Sequence, residues 1–232
     1  MKIALDAMGG DYAPKNTIEG AVAALADQKM IDKLFLVGRG DEIEALLATR
    51  KVPASRIEVV PASEVVDMWD GAVQSVRKKR DSSINRAVDL VKNGAADAVV
   101  SAGHTGASVA ATSLKLRALP GVDRPGIAAP LPTETNVCVL IDAGANVDAK
   151  PEHMLQYAIM GAVYSRHVLG YPNPSIGLMS IGGEDVKGSD FTKDVFKMLK
   201  ASRLNFRGNI EGHDLFENPV EVVLCDGFTG NV

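Results

Sequence analysis

The chain has 232 residues, 46% of them hydrophobic and 23% charged, with a formal net charge of -4. That is the composition of a globular protein with one large domain or two small ones. It lacks the basic footprint of a nucleic-acid binder, and no apolar run approaches the ~18 residues that would suggest a membrane span.

Apolar runs of strand length recur along the chain, most of them ending in a glycine-rich turn. In order they are KIALD, KLFLVG, IEVVP, DAVVSAG, IAAPLP, VCVLIDAG, SIGLMSIGG, NFRGNIEG and VEVVLCDG. The first lies in MKIALDAMGGD and is broken at Asp6, so it reads as a strand and not as a signal peptide. Helical spacing appears at Ile18, Val22 and Leu25, at Ile43, Leu46 and Leu47, and at Ile84, Val88 and Val91. It recurs through Met154, Ala158, Val163 and Val168. Pro14 is expected just inside the first helix. Alternating strands and helices predict an α/β fold with a mostly parallel sheet and helices on both faces. The proline-rich stretch at 120–132 and the segment GYPNPS are the weakest points for a boundary. The chain reads as a single α/β domain over 1–232 with room for two lobes.

Cys138 and Cys225 each sit inside an apolar run. They are expected as buried strand thiols, neither disulfide-bonded nor catalytic. Ligands of open α/β sheets bind beyond the carboxyl ends of the strands. Here those ends read DAMGGD, VGRGD, SAGHTGAS, DAGANVDAK, SIGGEDVKGSD, GNIEGHD and DGFTGN. Glycines let backbone N–H groups approach a ligand, and a following helix N-terminus adds positive potential, so such loops suit a phosphate. Lys187, in GGEDVKGSD, reads either as a phosphate-neutralising cation or as a solvated loop lysine. Asn231 can bond a carbonyl oxygen or a phosphate, or simply make a turn. Asp6 and Asp11 can orient donors or act as caps. The run Arg77, Lys78, Lys79 and Arg80 suits a solvated face or a docking patch for an acidic partner.

Several familiar sites are missing. There is no GxxxxGK[ST], VGRGDEIE lacks the last glycine of GxGxxG, and no GxSxG occurs. His104, His153, His167 and His213 are scattered without metal-ligand spacing, so no metal site and no cofactor are expected.

Taken together, DAMGGDYAP, VRKKRDSSIN, SAGHTGAS, DRPGIAAPLPT, IDAGANVDAKPEH, GGEDVKGSDFTK, FRGNIEGHD and CDGFTGNV resemble the acyl-acyl-carrier-protein:phosphate acyltransferases of phospholipid synthesis. The resemblance runs in order from residue 1 to 232. It implies a three-layer α/β/α sandwich of the isocitrate dehydrogenase/phosphotransacetylase type, a homodimer and a cytoplasmic enzyme with peripheral membrane association. It implies transfer of a fatty acyl group from acyl-carrier protein to inorganic phosphate, giving an acyl phosphate for a membrane glycerol-3-phosphate acyltransferase. Within that reading Lys187 is expected to hold the attacking phosphate and Asn231 to help orient it or the thioester carbonyl. Asp6, Gly9, Gly10, Asp11, Gly103, His104, Thr105, Gly106, Asn146 and Gly230 are expected to bind substrate, and the basic run to dock the acidic carrier. His104 stands where the family usually has Asn, Gly126 where Ala is usual, Gly183 where a bulkier residue is usual, and His213 where Arg is common. Family members also continue beyond the last motif. Two other readings compete: a phosphotransacetylase using acyl-coenzyme A, whose phosphopantetheine arm is the same, and a non-catalytic carrier-binding scaffold. A metal-dependent dehydrogenase of similar fold is weaker than either.

Overall fold

The computed structural model describes residues 1–50, 52–217 and 220–231. The chain forms two compact units, Met1–Arg117 and Ala118–Val232.

The first unit holds β1 (Lys2–Asp6), α1 (Lys15–Asp27), β2 (Lys33–Gly38), α2 (Gly40–Ala48), β3 (Ile57–Pro61), α3 (Ala72–Lys78), α4 (Ser83–Lys92), β4 (Ala98–Val100) and α5 (Thr105–Lys115). Its four strands are all parallel, in the order β3-β2-β1-β4. Strand β2 shows why a parallel strand reads as an unbroken apolar run. Leu34 and Leu36 join Ile18, Ala21, Leu25 and Ile43 on one face, while Phe35 and Val37 join Ala4, Ala87 and Ala96 on the other. Helices therefore cover both faces. Pro14 stands at the N-cap, one residue before α1.

The second unit holds β5 (Ala128–Pro132), β6 (Val137–Ile141), α6 (Pro151–Val168), β7 (Ile176–Met179), α7 (Asp190–Ala201), β8 (Phe206–Ile210) and β9 (Val222–Leu224). The strand order is β5-β6-β9-β7-β8, with β5 antiparallel and the rest parallel. The strands thus form two hydrogen-bonded sheets, one per unit, where the sequence suggested one. Its larger core joins Ile141, Ile176, Leu178, Val222 and Leu224 to Met154, Tyr157 and Ala158 of α6 and to Val195, Phe196 and Leu199 of α7. A smaller cluster on Cys138, Leu140, Ile210, Val223 and Cys225 contains no α-helical residue.

One expected helical stripe is displaced. The buried positions of α6 are Met154, Tyr157, Ala158, Gly161 and Ser165, whereas Val163 is 53% exposed and Val168 is exposed too. At about 100° per residue, Val163 lies half a turn from the row on Met154 and Ala158. Val168 is the last residue of the helix, at its frayed end. Gly161 packs against the sheet instead, where a Cβ would lie 2.7 Å from a Val222 methyl.

Met154→Ala should cost about 2–5 kcal/mol by leaving a cavity, and Val163→Ala should stay within about 0.5 kcal/mol, both read by urea denaturation. A second expectation concerns Cys225, whose thiol is pushed up to about 12 by burial, then by Asp226 and Asp142. The folded state holds that proton where the unfolded chain releases it near 9.0. Stability from this group is therefore complete below pH ~9 and falls as pH rises toward 12. Comparing parent and Cys225→Ala between pH 8 and 11 should show a shallower alkaline decline in the variant; equal slopes would mean the thiol is not linked to folding.

Candidate functional site

In the first unit the winding of the chain reverses between β1 and β4, the position at which open α/β sheets leave a crevice. The loops leaving those two strands are bonded together. Asp6 is only 4% exposed. One carboxylate oxygen accepts from the Ser101 hydroxyl at 2.8 Å, the other from the Met8 N–H at 3.2 Å. Ser101 Oγ accepts from the Gly103 N–H at 3.1 Å. A Cβ on Gly9 would come within 2.8 Å of Gly103 N, and one on Gly103 within 2.9 Å of Gly9 Cα. Only glycine at both positions lets the two backbones meet. Gly10 and the exposed Asp11 continue the loop, beside a mostly apolar cavity of about 530 Å³ lined also by Leu5, Ala21 and Leu34.

His104 is the N-cap of α5. Its Nδ1 accepts from the Ala107 N–H at 3.3 Å, which leaves the ring proton on Nε2, 3.0 Å from the Asp70 carbonyl oxygen. The cap that an Asn would supply is therefore kept, and the second nitrogen ties the loop before α3 to the start of α5. Thr105 opens α5 and is exposed, while a Cβ on Gly106 would lie 3.1 Å from that of Ala72.

The basic run divides. Lys79 Nζ donates to Asp70 at 2.6 Å and to the Val65 carbonyl at 2.7 Å. That ammonium, followed by the Asp67 N–H, holds the Asp70 carboxyl below the usual range, and Asp70 in turn raises Lys79. Lys79 thus fastens a loop, while Arg77, Lys78 and Arg80 are exposed.

In the second unit the organising group is Asp142, fully buried at the end of β6. Its Oδ1 accepts from the N–H groups of Ile127 and Ala145, each at 2.9 Å, and its Oδ2 from the Asn146 N–H at 2.8 Å. The Asn146 side-chain amide donates to the Pro125 carbonyl at 2.6 Å and, more weakly, to Asp142 at 3.4 Å. The loop after β9 leans on this one. The Gly227 N–H donates to the Asn146 carbonyl at 3.0 Å, and a Cβ on Gly230 would collide with the Asp142 carbonyl oxygen. The exposed Asn231 follows, its amide oxygen 3.0 Å from where a Cβ on Gly144 would sit. Asn146, Gly230 and Asn231 are thereby brought together.

Beside them lies a cavity of about 360 Å³ at the start of α7, walled by Ser180, Gly188, Ser189, Thr192, Asp226 and Thr229 among others. Ser189 caps α7, accepting from the Thr192 N–H at 3.2 Å. The Ser180 hydroxyl is buried with no hydrogen-bond partner among the described residues. Lys187 is outside that wall. It is half-exposed, its stem lies against Gly182, and its Nζ is 4.0 Å from Glu184. Ser101, Asp142, Ser180, Ser189 and Thr192 were not singled out from the sequence. Ser189 alone had a legible signal, a serine directly before an amphipathic helix.

Burial raises both thiols, Cys225 more than Cys138. Among the described residues no group of three or more His, Cys, Asp or Glu side chains is placed to hold a metal ion, and no helix is long and apolar enough to cross a membrane.

Comparison with known proteins places these loops in context. A family model described as fatty acid synthesis protein matches residues 1–232. A phosphate acyltransferase of Akkermansia muciniphila is 52% identical over 238 residues, covering 100% of this chain and 68% of that protein. One from Geotalea uraniireducens is 50% identical over 232 residues, covering 100% of this chain and 66% of the relative. The chain thus spans about two-thirds of their length. Among solved structures, a phosphotransacetylase from Staphylococcus aureus is similar in fold, with a TM-score of 0.64 at 16% identity over 100% of this chain and 79% of that one. A branched-chain phosphotransacylase from Enterococcus faecalis gives 0.62 at 13% identity, covering 100% and 81%. By the full-length family match and these identities, the chain belongs to the fatty acid synthesis protein family, in which its matched relatives are phosphate acyltransferases.

Proposed function

We propose that the chain transfers an acyl group from a thioester to inorganic phosphate. The observation that carries this reading is the 52% identity to a phosphate acyltransferase, which extends over the whole chain. A phosphate oxygen attacks the thioester carbonyl carbon. The C–O bond forms, the C–S bond breaks, and its electron pair leaves with sulfur, which takes up a proton. The product is an acyl phosphate. Phosphate is already anionic near neutral pH, so it needs holding and alignment more than a strong base. An enzyme nucleophile is unnecessary, in keeping with two buried thiols of raised pKa.

The phosphate is assigned in this reading to the cavity before α7 in the second unit. The N–H groups of Asp190 and Phe191 at the start of α7, ahead of the capped Thr192, and the Ser180 hydroxyl, which has no partner among the described residues, are the donors assigned to it. Lys187, on a flexible stem at the end of the same loop, is assigned to neutralising the anion. Asn231 is assigned to the thioester carbonyl or the phosphate, and preorganised donors of this kind stabilise the charge that develops on oxygen. Asp6, His104, Asn146 and Gly230 act through the loops they fix. Gly9, Gly10, Asp11, Gly103, Thr105 and Gly106 are assigned to the rest of the substrate.

The donor in this proposal is acyl-carrier protein, docked on the exposed cations of the basic run. Homodimer assembly, peripheral membrane association and delivery of acyl phosphate to a membrane glycerol-3-phosphate acyltransferase belong to the same reading and rest on the motif resemblance.

The direct test is thiol release from acyl-carrier protein and from acyl-coenzyme A, each with and without phosphate. Release from the carrier thioester that requires phosphate is expected; release indifferent to phosphate sinks the reading, and release from coenzyme A alone replaces the donor. Lys187→Ala should lower kcat/KM for phosphate by roughly ten- to a hundredfold, with Lys187→Arg recovering part of it because a planar fork replaces a point charge poorly. Initial rates against phosphate concentration decide, with the matching substitution in a full-length relative as a parallel. A folded Lys187→Ala protein with parental kinetics would make this an ordinary loop lysine.

A further inference from the structure

Resting on the phosphate-acyltransferase reading, we infer that the loop tip at Met68 and Trp69, together with the outer face of α3, is the surface that grips the acidic carrier protein. Trp69 is the chain's one tryptophan and is 98% exposed. Met68 beside it is 56% exposed, and Val73 in the first turn of α3 is 51% exposed. A wholly exposed tryptophan next to two more apolar side chains is the composition of an interface centre, where Trp and Arg are the commonest anchors. Val73 and Arg77 are four residues apart on α3 and share a face, as do Gln74 and Lys78. The apolar tip therefore leads along that face of α3 to exposed cations at its far end.

The tip is held, not loose. Lys79 clamps Asp70 at 2.6 Å and the Val65 carbonyl at 2.7 Å, on either side of Met68 and Trp69. The Asp67 N–H donates to Asp70 at 2.8 Å, and His104 bonds the Asp70 carbonyl at 3.0 Å. A loop whose flanks are already fixed loses little backbone freedom on binding. The same bonds settle the charge. Asp70 is spent on Lys79, so the cations left facing outward are Arg77, Lys78 and Arg80. The His104 bond also joins the surface to the glycine loop assigned to substrate, so a partner seated here lies next to the start of α5.

Charge placement separates a carrier from a lipid surface. Asp67 is 71% exposed and adjoins the apolar tip, paired with Lys79 only at a loose 3.5 Å, while the outward-facing cations lie at the far end of α3. A bilayer deep enough to take Trp69 would bring anionic headgroups onto that carboxylate. A folded partner with a localised acidic patch meets the cations and leaves Asp67 in water.

Because Trp69 is the only tryptophan, its fluorescence reports this surface alone. Titration with a tryptophan-free acyl-carrier protein should shift its emission to the blue and protect it from a soluble quencher. Anionic phosphatidylglycerol vesicles should do neither. By a separate label on the carrier, Trp69→Ala should weaken binding by roughly thirtyfold or more, Trp69→Phe by less, and the distant Met30→Ala not at all. Reversing Arg77 and Lys78 should weaken binding more at low salt than at high salt. Emission unchanged at saturating carrier, or Trp69→Ala binding within twofold of the parent, overturns the inference, and a response to vesicles alone gives the surface to lipid. Thiol release read in parallel keeps the two ideas apart. Turnover with a silent Trp69 defeats only the docking surface, and a responsive Trp69 without turnover defeats only the catalytic reading.

Discussion

The second unit is organised around one buried carboxylate. Asp142 is fully buried, and its carboxylate is matched by backbone N–H groups from Ile127, Ala145 and Asn146. Hydrogen bonds to a charged acceptor in a dry setting are stronger than neutral ones, and an unmatched partner there would be expensive. The chain after β6 is therefore wound tightly about the carboxylate, and its next turn becomes the platform on which the loop after β9 rests. Asn231 owes its position to a group at the end of the neighbouring strand, far away in sequence.

The first unit reaches a similar end by different means. Asp6 and Ser101 join the loops after β1 and β4 by a hydroxyl–carboxylate bond, and two glycines remove the side chains that would keep those loops apart. In both units a polar group at a strand end is used to shape a loop, which leaves the neighbouring backbone donors in defined directions. Donors set before a ligand arrives need no reorganisation when charge develops near them.

Much of this was legible from residue order. The strands stood out because parallel strands buried on both faces are apolar without interruption, as β2 illustrates. Short helices were harder to see. α3 spans only Ala72–Lys78, too few residues for a period to repeat convincingly, and in α5 the packing is made by Ala107, Ala110 and Ala111, which pattern weakly against glycine and serine. On α6 the buried row passes through Gly161 and Ser165, small or polar residues chosen for close approach, so the eye settles on Val163 instead. The candidate site was legible as a set of loops but not as a set of contacts. Nothing in the order of residues tells that Lys79 turns inward to Asp70 while its neighbours face out, or that Ser180 has no partner among the described residues, because both depend on how the chain folds back on itself.

The crowding at Gly230 has an evolutionary consequence. Any other residue there would place its first side-chain carbon on the Asp142 carbonyl oxygen, so accommodating it means moving β6's loop as well as β9's. Substitutions at 230 and across 142–146 are therefore epistatic: the effect of one depends on the residue present at the other. Sequences can drift at this pair only by concerted change, and the route between two workable combinations passes through intermediates worse than either.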